Sequence, residues 1–592
     1  MCYNYVGGCT MNTLYDELIK ILMSESKYVS NDNSLLKNKV YEDAMNMEEN
    51  LIKLLFGNEL TQEKFFKKIN NFFVFDKIEF GWVINNKEFL PDCYTRFKNK
   101  IGLSSLTGKY IINNDDVVID FPYKDCVLVG GQTKDEEKRN ELFYNKILAS
   151  SEIDSLFAPK VFTNAKRYTK DGIETNISFQ SNDNLIVKGN NLLVLSSLLK
   201  RYESKVNLIY IDPPFNTGSD SFNYNDRFNR STWLTFMKNR LELAKKLLTS
   251  DGNIFIHIDV NQSHYLKVLC DEIFGKDNFV EEIIWAYGSP SGGRAATPKP
   301  VNIHDYILHY AKNYQLRKQN RVYTPYSKKY IDEWFKYEDE NGRKYQKRSR
   351  GKNENGESIW VRQYLDESKG VPLSTVWTDI KQVYADPRAY ADGQEEFTEI
   401  EKDFRGGQKP EALLKRIIEM ATDERDLVLD FHLGTGTTCA VAHKMNRQYI
   451  GVEQMDYIEN FVVNRLEKVI KGDKNGISKD VNWNDGGSFV YCELKKLNDN
   501  YIEKILSATG KDLGNIYDEI SKSVFVNFNT SLQILNKNKE EFNNLDLESQ
   551  RKILIDILDM NMLYQNYSDM EDNKYNTLAE DAIFNKSFYE EI

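Results

Sequence analysis

The sequence predicts an α/β fold, a largely parallel sheet with helices on both faces, interrupted by a basic insertion and flanked by helical N- and C-terminal regions. Three observations predict it. Strand and helix patterns alternate with short loops from about residue 186 to 312, the alternation returns from 371 to 474, and the stretch between is rich in Lys, Arg, Tyr and Trp. Strands alternating with helices imply βαβ units and a sheet covered on both faces.

Residues 1–115 form a mainly helical region, with helical apolar spacing in MEENLIKLLFGNEL beside the Lys/Phe-rich EKFFKKINNFFVF; it carries no recognisable chemistry. Met11 is an alternative start, since the ten residues before it show no periodic pattern. Residues 116–185 read as a connector: a short strand in DCVLVGG, a charged helix KDEEKRNELFYNKIL and a polar hairpin-like piece. The GGQTK after that strand lacks the spacing of a phosphate loop. From 186 to 312 come LIVKG, the helix NNLLVLSSLLKRY, the strand NLIYI, the helix STWLTFMKNRLELAKKLL, the strand NIFIHID and the helix SHYLKVLCDEIFG. The insertion occupies 313–370. From 371 to 474 the pattern resumes with KPEALLKRIIEMA, the strand DLVLDF, the Gly-rich turn HLGTGTT, the helix CAVAHKMN, the strand QYIGVE and the helix YIENFVVNRLEKVI. Residues 475–592 are acidic and helical, with a short strand at SFVYCEL.

A chain of 592 residues exceeds one hydrophobic core and predicts two to four units, at about 150 residues per domain. Its 41% hydrophobic and 28% charged residues are ordinary for a globular protein. No run of about 18 apolar residues and no signal peptide are present, which places the protein in the cytoplasm. Seven cysteines are scattered without a CxxC or clustered histidines, so reduced thiols are expected, with no disulfide framework and no metal site. A net charge of −11 argues against coating nucleic acid through overall charge. Lys312 to Lys369, however, holds 15 basic against 9 acidic residues, a local basic patch.

Two motifs carry chemistry. Asp430-Phe431-His432-Leu433-Gly434-Thr435-Gly436-Thr437-Thr438 joins a strand to a helix, and Glu453 ends the next strand. Glycines let a ligand approach the backbone closely, and an acid ending the second strand suits ribose hydroxyls. The pattern is G-x-G-x-x-C, without the three glycines expected around a pyrophosphate, and a lone G-x-G also occurs as an ordinary turn. The second motif, Asp212-Pro213-Pro214-Phe215, follows the apolar strand NLIYI. Two prolines remove two donors and fix the chain, leaving the Asp212 carboxylate and the Pro213 carbonyl as acceptors beside an aromatic ring. Acceptors and a flat apolar surface suit a planar group bearing an NH2.

With these motifs in this order, the sequence resembles the amino-group DNA methyltransferases that use S-adenosylmethionine, in the permuted arrangement where D-P-P-[YF] precedes the Gly-rich loop. It is most similar to the modification subunits of type III restriction systems, from about Asn184 to Leu494 through KGNNLLVL, IYIDPPFNTGSDSFNYNDRFNRSTWLTFMKNRLELAKKLL, GNIFIHIDVNQ, STVWTDI, GGQKPEALLKRII and DFHLGTGTT; the tail RKILIDILDMNMLYQNYSDMED is also similar. The resemblance implies a Rossmann-like methyltransferase sheet in permuted order, with 313–370 as the target-recognition insertion. It implies that Asp212, Pro213, Pro214 and Phe215 hold a flipped adenine for attack by N6. Asp430, Phe431, Gly434, Gly436 and Thr437 would wrap the methionine end of the cofactor, and Glu453 its ribose. Asn190 would lie near the cofactor adenine, with Lys409 and Pro410 in the segment closing the cofactor pocket. Phe215 stands where Tyr is more usual, and Val260 where relatives often carry an acid. Implied partners are double-stranded DNA, a second copy in a homodimer and a separate helicase-nuclease (Res) subunit.

KYQKRSRGK, interleaved with Tyr337, Tyr345 and Trp360, fits phosphate and base contacts, and GSPSGGRAATPKP offers Arg294 and Lys299. Asp485, Glu493 and Lys495 mimic the D…ExK of a metal-dependent nuclease, a pattern short enough to arise by chance. Other readings of the sequence are a solitary adenine methyltransferase, a catalytically silent DNA-recognition subunit, and a small-molecule or protein-glutamine methyltransferase, which would not need the insertion.

Overall fold

The computed structural model describes residues 14–30, 35–69, 72–85, 127–129, 142–144, 150–216, 230–288, 300–383, 408–523, 525–526, 539–559 and 561–590. Met1, Met11, Arg294 and Lys299 lie outside these residues, as does the GGQTK stretch.

An 11-stranded sheet organises the chain. In chain order its strands are β1 (Phe162–Thr169), β2 (Gly172–Glu174), β3 (Leu185–Lys188), β4 (Val206–Ile211), β5 (Leu248–Ile258), β6 (Phe279–Ala286), β7 (His304–Ala311), β8 (Val376–Trp377), β9 (Leu427–Asp430), β10 (Gln448–Glu453) and β11 (Ser488–Leu494). Their order across the sheet is β8-β6-β7-β5-β4-β9-β10-β3-β11-β1-β2. The centre, from β5 to β11, is parallel; β7, β1 and β2 pair antiparallel with their inner neighbours.

The central strands are apolar almost throughout because both faces are covered, and successive residues serve different cores. Ile209 and Ile211 of β4 and Leu429 of β9 pack with α1 (Asn191–Tyr202), α2 (Arg230–Leu247) and α3 (Ser263–Phe274). Leu208 and Tyr210 of β4 and Val428 of β9 face α4 (Glu411–Ala421), α5 (Thr437–Lys444) and α6 (Asn464–Ile470). Strands β4 and β9, one from each half of the chain, are direct neighbours, with Leu208 opposite Val428 and Ile209 opposite Leu429. Their carboxyl ends, one from each half, therefore lie side by side, the usual place for a ligand in such sheets.

The sheet reaches beyond the limits read from the sequence. The 116–185 connector supplies β1 and β2, and β11, beyond residue 474, is an internal strand between β3 and β1. The charged helix expected in KDEEKRNELFYNKIL contains instead a strand, Leu142–Tyr144, paired with Val127–Val129. The end of the chain also joins the core. Helix α7 (Ala579–Tyr589) lays Phe584 and Phe588 against Phe162 and Phe179, and the Asn585 side chain bonds both backbone groups of Phe162. Pairing over such sequence separations leaves no local trace in composition.

Residues 14–85 build a separate small core of helices and a hairpin, Phe66–Ile69 with Phe72–Phe75. The insertion stands away from the sheet as a three-stranded antiparallel unit of Tyr337–Glu338, Lys344–Lys352 and Ser358–Tyr364. Pairing of Tyr323–Thr324 with Val371–Pro372 closes its neck before β8 returns to the sheet edge beside β6.

Candidate active site

The Gly-rich turn connects β9 to α5. Gly434 and Gly436 take φ of 55° and 80°, a conformation that side chains rarely adopt. A Cβ on Gly436 would stand 3.0 Å from Val462, while the space where a Cβ of Gly434 would lie is open. Asp430, buried at the end of β9, holds the turn: its Oδ1 accepts the His432 amide at 3.0 Å and its Oδ2 the Thr438 hydroxyl at 2.6 Å. Burial pushes its carboxyl up to about 7, with the charges of Asp212 and Glu453 adding to the shift. Glu453 ends β10 beneath the turn, accepting the Gly434 amide at 2.9 Å on one oxygen and the Gln454 and Met455 amides on the other. The buried Thr437 hydroxyl accepts from Arg465 at 2.8 Å, and Arg465 is paired to the buried Glu411 at 2.9 Å.

Asp212 extends from β4 next door. Lys409 Nζ lies 2.6 Å from Asp212 Oδ2, whereas Oδ1 is buried without a hydrogen-bond partner. Pro213 is buried, and the Pro214 carbonyl accepts Trp233 Nε1 at 2.8 Å, which anchors the turn to α2. The Phe215 ring lies parallel to His257, centroids 5.9 Å apart at 14°. His257 is itself fixed, Nδ1 to the Tyr210 hydroxyl at 3.2 Å and Nε2 to Asp305 at 3.1 Å.

The adjoining strand ends thus carry Asp212, Pro213, Pro214 and Phe215 on β4 and Asp430, Phe431, Gly434, Gly436, Thr437 and Glu453 on and after β9 and β10. Asn190 sits at the start of α1, its Oδ1 accepting the Leu192 amide at 3.0 Å as the helix cap. Pro410 caps α4, so the two residues of the Lys409-Pro410 pair divide between Asp212 and a helix start. Val260 is exposed, and the neighbouring buried Asp259 is the acid at the end of β5. Sequence reading missed Asn191, Arg240, Trp233 and His257, which brace the site; each lies inside a strand or helix where it reads as core. Asp485, Glu493 and Lys495 do not converge: Asp485 pairs with Lys170 at one end of β11, and Glu493 accepts from Asn164 near the other. No group of three metal-ligating side chains occurs among the described residues. Cys270, Cys439 and Cys492 are buried free thiols.

Comparison with known proteins bears on this geometry. A DNA methylase family profile matches residues 206–464, and a profile for the type III restriction/modification enzyme methylation subunit matches 48–103. A Haemophilus influenzae protein named "Probable type III restriction-modification enzyme HindVI Mod subunit" is 33% identical, covering 97% of this chain and 98% of its own. This chain belongs to the type III Mod family. It is an S-adenosylmethionine-dependent DNA adenine methyltransferase, the modification subunit of a type III restriction-modification system. The StyLTI Mod subunit of Salmonella typhimurium is 30% identical over 45% of this chain and 51% of its own length. The crystal structure of the M1.HpyAVI-SAM complex is similar at 17% identity over 48% of this chain and 98% of that one, with a TM-score of 0.28. The residues present fit such a cofactor: open space over Gly434 and a carboxylate, Glu453, at the end of the second strand.

Among the described residues of this Mod chain no helix is long and apolar enough to cross a membrane.

Proposed function

We propose that Asp212-Pro213-Pro214-Phe215 is the adenine site of this Mod subunit and that the β9–α5 turn is its cofactor site. The observation that carries this reading is the adjacency of β4 and β9, which puts Asp212 and the Gly-rich turn at neighbouring strand ends although they come from opposite halves of the chain. S-adenosylmethionine, when bound, would supply the methyl on a sulfonium: N6 would take it as the C–S bond breaks, the neutral thioether would be the leaving group, and the proton lost from N6 would pass to solvent. Asp212 Oδ1 and the Pro213 carbonyl accept from the amine and aim its lone pair, while Phe215 stacks on the flipped base. Asp430, Phe431, Gly434, Gly436 and Thr437 cradle the methionine end, Glu453 meets the ribose, and Asn190 lies toward the cofactor adenine. The chain works on double-stranded DNA as a homodimer in the cytoplasm, alongside a separate helicase-nuclease subunit.

The test is to incubate the protein with S-adenosylmethionine and unmethylated DNA and to map N6-methyladenine base by base, with Asp212→Ala in parallel. Methylation confined to one short site, on one strand, and lost in the variant is expected. Tight DNA binding without any methylation would overturn the catalytic reading and leave a recognition subunit.

A further inference from the structure

Lys409 Nζ bonds Asp212 Oδ2 at 2.6 Å and lies 5.2 Å from the centre of the Phe215 ring. Both side chains are largely withdrawn from solvent, at 15% and 22% exposure. A carboxylate has two oxygens and rotates about its last bond, so a bond to one oxygen selects the direction of the other. Here the second oxygen, Oδ1, is buried and has no partner. A buried acceptor left open is costly unless a ligand fills it.

We propose that Lys409 is a positioning residue of the methyl transfer: it grips Oδ2 so that Oδ1 alone receives the target amine, and it offsets the carboxylate charge. The proposal rests on the reading of Asp212 as the adenine-binding acid, and it moves Lys409 from the cofactor pocket to the base site. Two physical arguments support it. A charge-assisted bond holds the acid in one rotamer before the base arrives, so ordering is not left to the encounter. The ammonium also offsets the cost of holding the carboxylate largely out of water. Its location fits the task, because Lys409 immediately precedes Pro410, the cap of α4, and Pro410 fixes the local chain.

The experiment compares Lys409→Met and Lys409→Arg with the wild-type protein, measuring S-adenosylmethionine affinity by calorimetry, kcat at saturating cofactor, and emission of 2-aminopurine placed at the target adenine. Thermal melts establish that each variant is folded. Lys409→Met should hold cofactor affinity within about twofold while kcat falls about 10- to 100-fold, the range for losing one charge-assisted bond. Lys409→Arg should recover much of that loss. In an Asp212→Asn background the Lys409→Met change should cost less than in the wild type, because the charge-assisted character of the bond between the two side chains is already lost. Weaker cofactor binding with kcat intact, or losses that multiply independently of Asp212, would overturn the proposal. If Lys409→Met does not fold, the Lys409→Arg and Asp212→Asn pair decides by the same coupling. Should wild-type protein fail to methylate adenine, the base-site reading fails; should it succeed with Asp212→Ala inactive and Lys409→Met unimpaired, only the role of Lys409 fails.

Discussion

Asn191 Nδ2 donates to the Phe431 carbonyl at 2.8 Å, tying the first turn of α1 to the Gly-rich loop. Its Oδ1 accepts Arg240 Nε at 2.6 Å, and Arg240 also donates to the Phe236 carbonyl. Burial lowers the Arg240 guanidinium to about 9, the mark of a cation that depends on its few partners. Asn191→Leu removes an acceptor from this cation and a donor from the loop. We expect a loss of about 2–4 kcal/mol in urea unfolding, with weaker cofactor binding by calorimetry. Unchanged unfolding and affinity would show that the bridge carries no weight.

The Asp430 carboxyl, pushed up to about 7 by burial, makes a signed prediction. An unfolded Asp titrates near 4, so between about pH 4 and 7 the folded protein keeps a proton that the unfolded chain has released. Stability from this group therefore falls as pH rises through that window, by at most about 4 kcal/mol. His432 acts in the opposite sense, since burial lowers its imidazole to about 3 and its contribution is lost as pH falls from about 6.5 toward 3. The difference between wild type and Asp430→Asn isolates the first effect: urea titrations should show it shifting in favour of the variant by a few kcal/mol from pH 5 to pH 7.5. A difference independent of pH would mean that Asp430 is already ionised throughout.

Much of the sheet was legible because burial on both faces leaves uninterrupted apolar runs such as NLIYI and DLVLDF, bounded by turns. What escaped was set by distant pairing. FVEEIIWA and HDYILHYA mix polar and apolar residues without a clean alternation, so the local pattern does not reveal strands there; they become β6 and β7 by pairing antiparallel with each other and, through β7, with β5. SFVYCEL reads as a strand, yet nothing nearby in the chain says that it lies between β3 and β1. The motif residues of the site were legible since their chemistry is local to a strand end. The bracing side chains were not: Lys409 meets Asp212 across 197 positions and Asn191 meets Phe431 across 240, and neither pairing has a spacing to reveal it.

Phe215 offers a stacking face held by His257, which is pinned in turn by Tyr210 and Asp305. Phe215→Ala should lower kcat/KM by about 5- to 150-fold, since stacking of a base on an aromatic ring is worth about 1–3 kcal/mol. Phe215→Tyr keeps the ring and should stay within about threefold of wild type. A Phe215→Ala enzyme as active as wild type in steady-state methylation would remove the ring from the base site.

The insertion separates structural cations from those open to DNA. Tyr345, expected from the sequence as a DNA contact, is buried and stacks on Tyr337, so it holds the unit together. Arg343 is tied to Asp366 and Glu367. Beyond them the Lys344–Lys352 and Ser358–Tyr364 strands form an exposed ribbon with Lys347 opposite Arg362, Arg348 opposite Val361 and Ser349 opposite Trp360, a residue 61% exposed. A two-stranded ribbon of this kind fits the major groove, where cations meet phosphates and a ring meets bases. Lys347→Ala and Arg348→Ala should each reduce the slope of log affinity against log salt by about 0.9, uniformly across DNA sequences. Trp360→Ala should weaken binding without changing that slope, because no phosphate contact is lost, and Arg343→Ala should leave the slope alone while loosening the insertion. Fluorescence titrations at several salt concentrations distinguish these outcomes: slopes unchanged in Lys347→Ala and Arg348→Ala would place the DNA on another face of the protein.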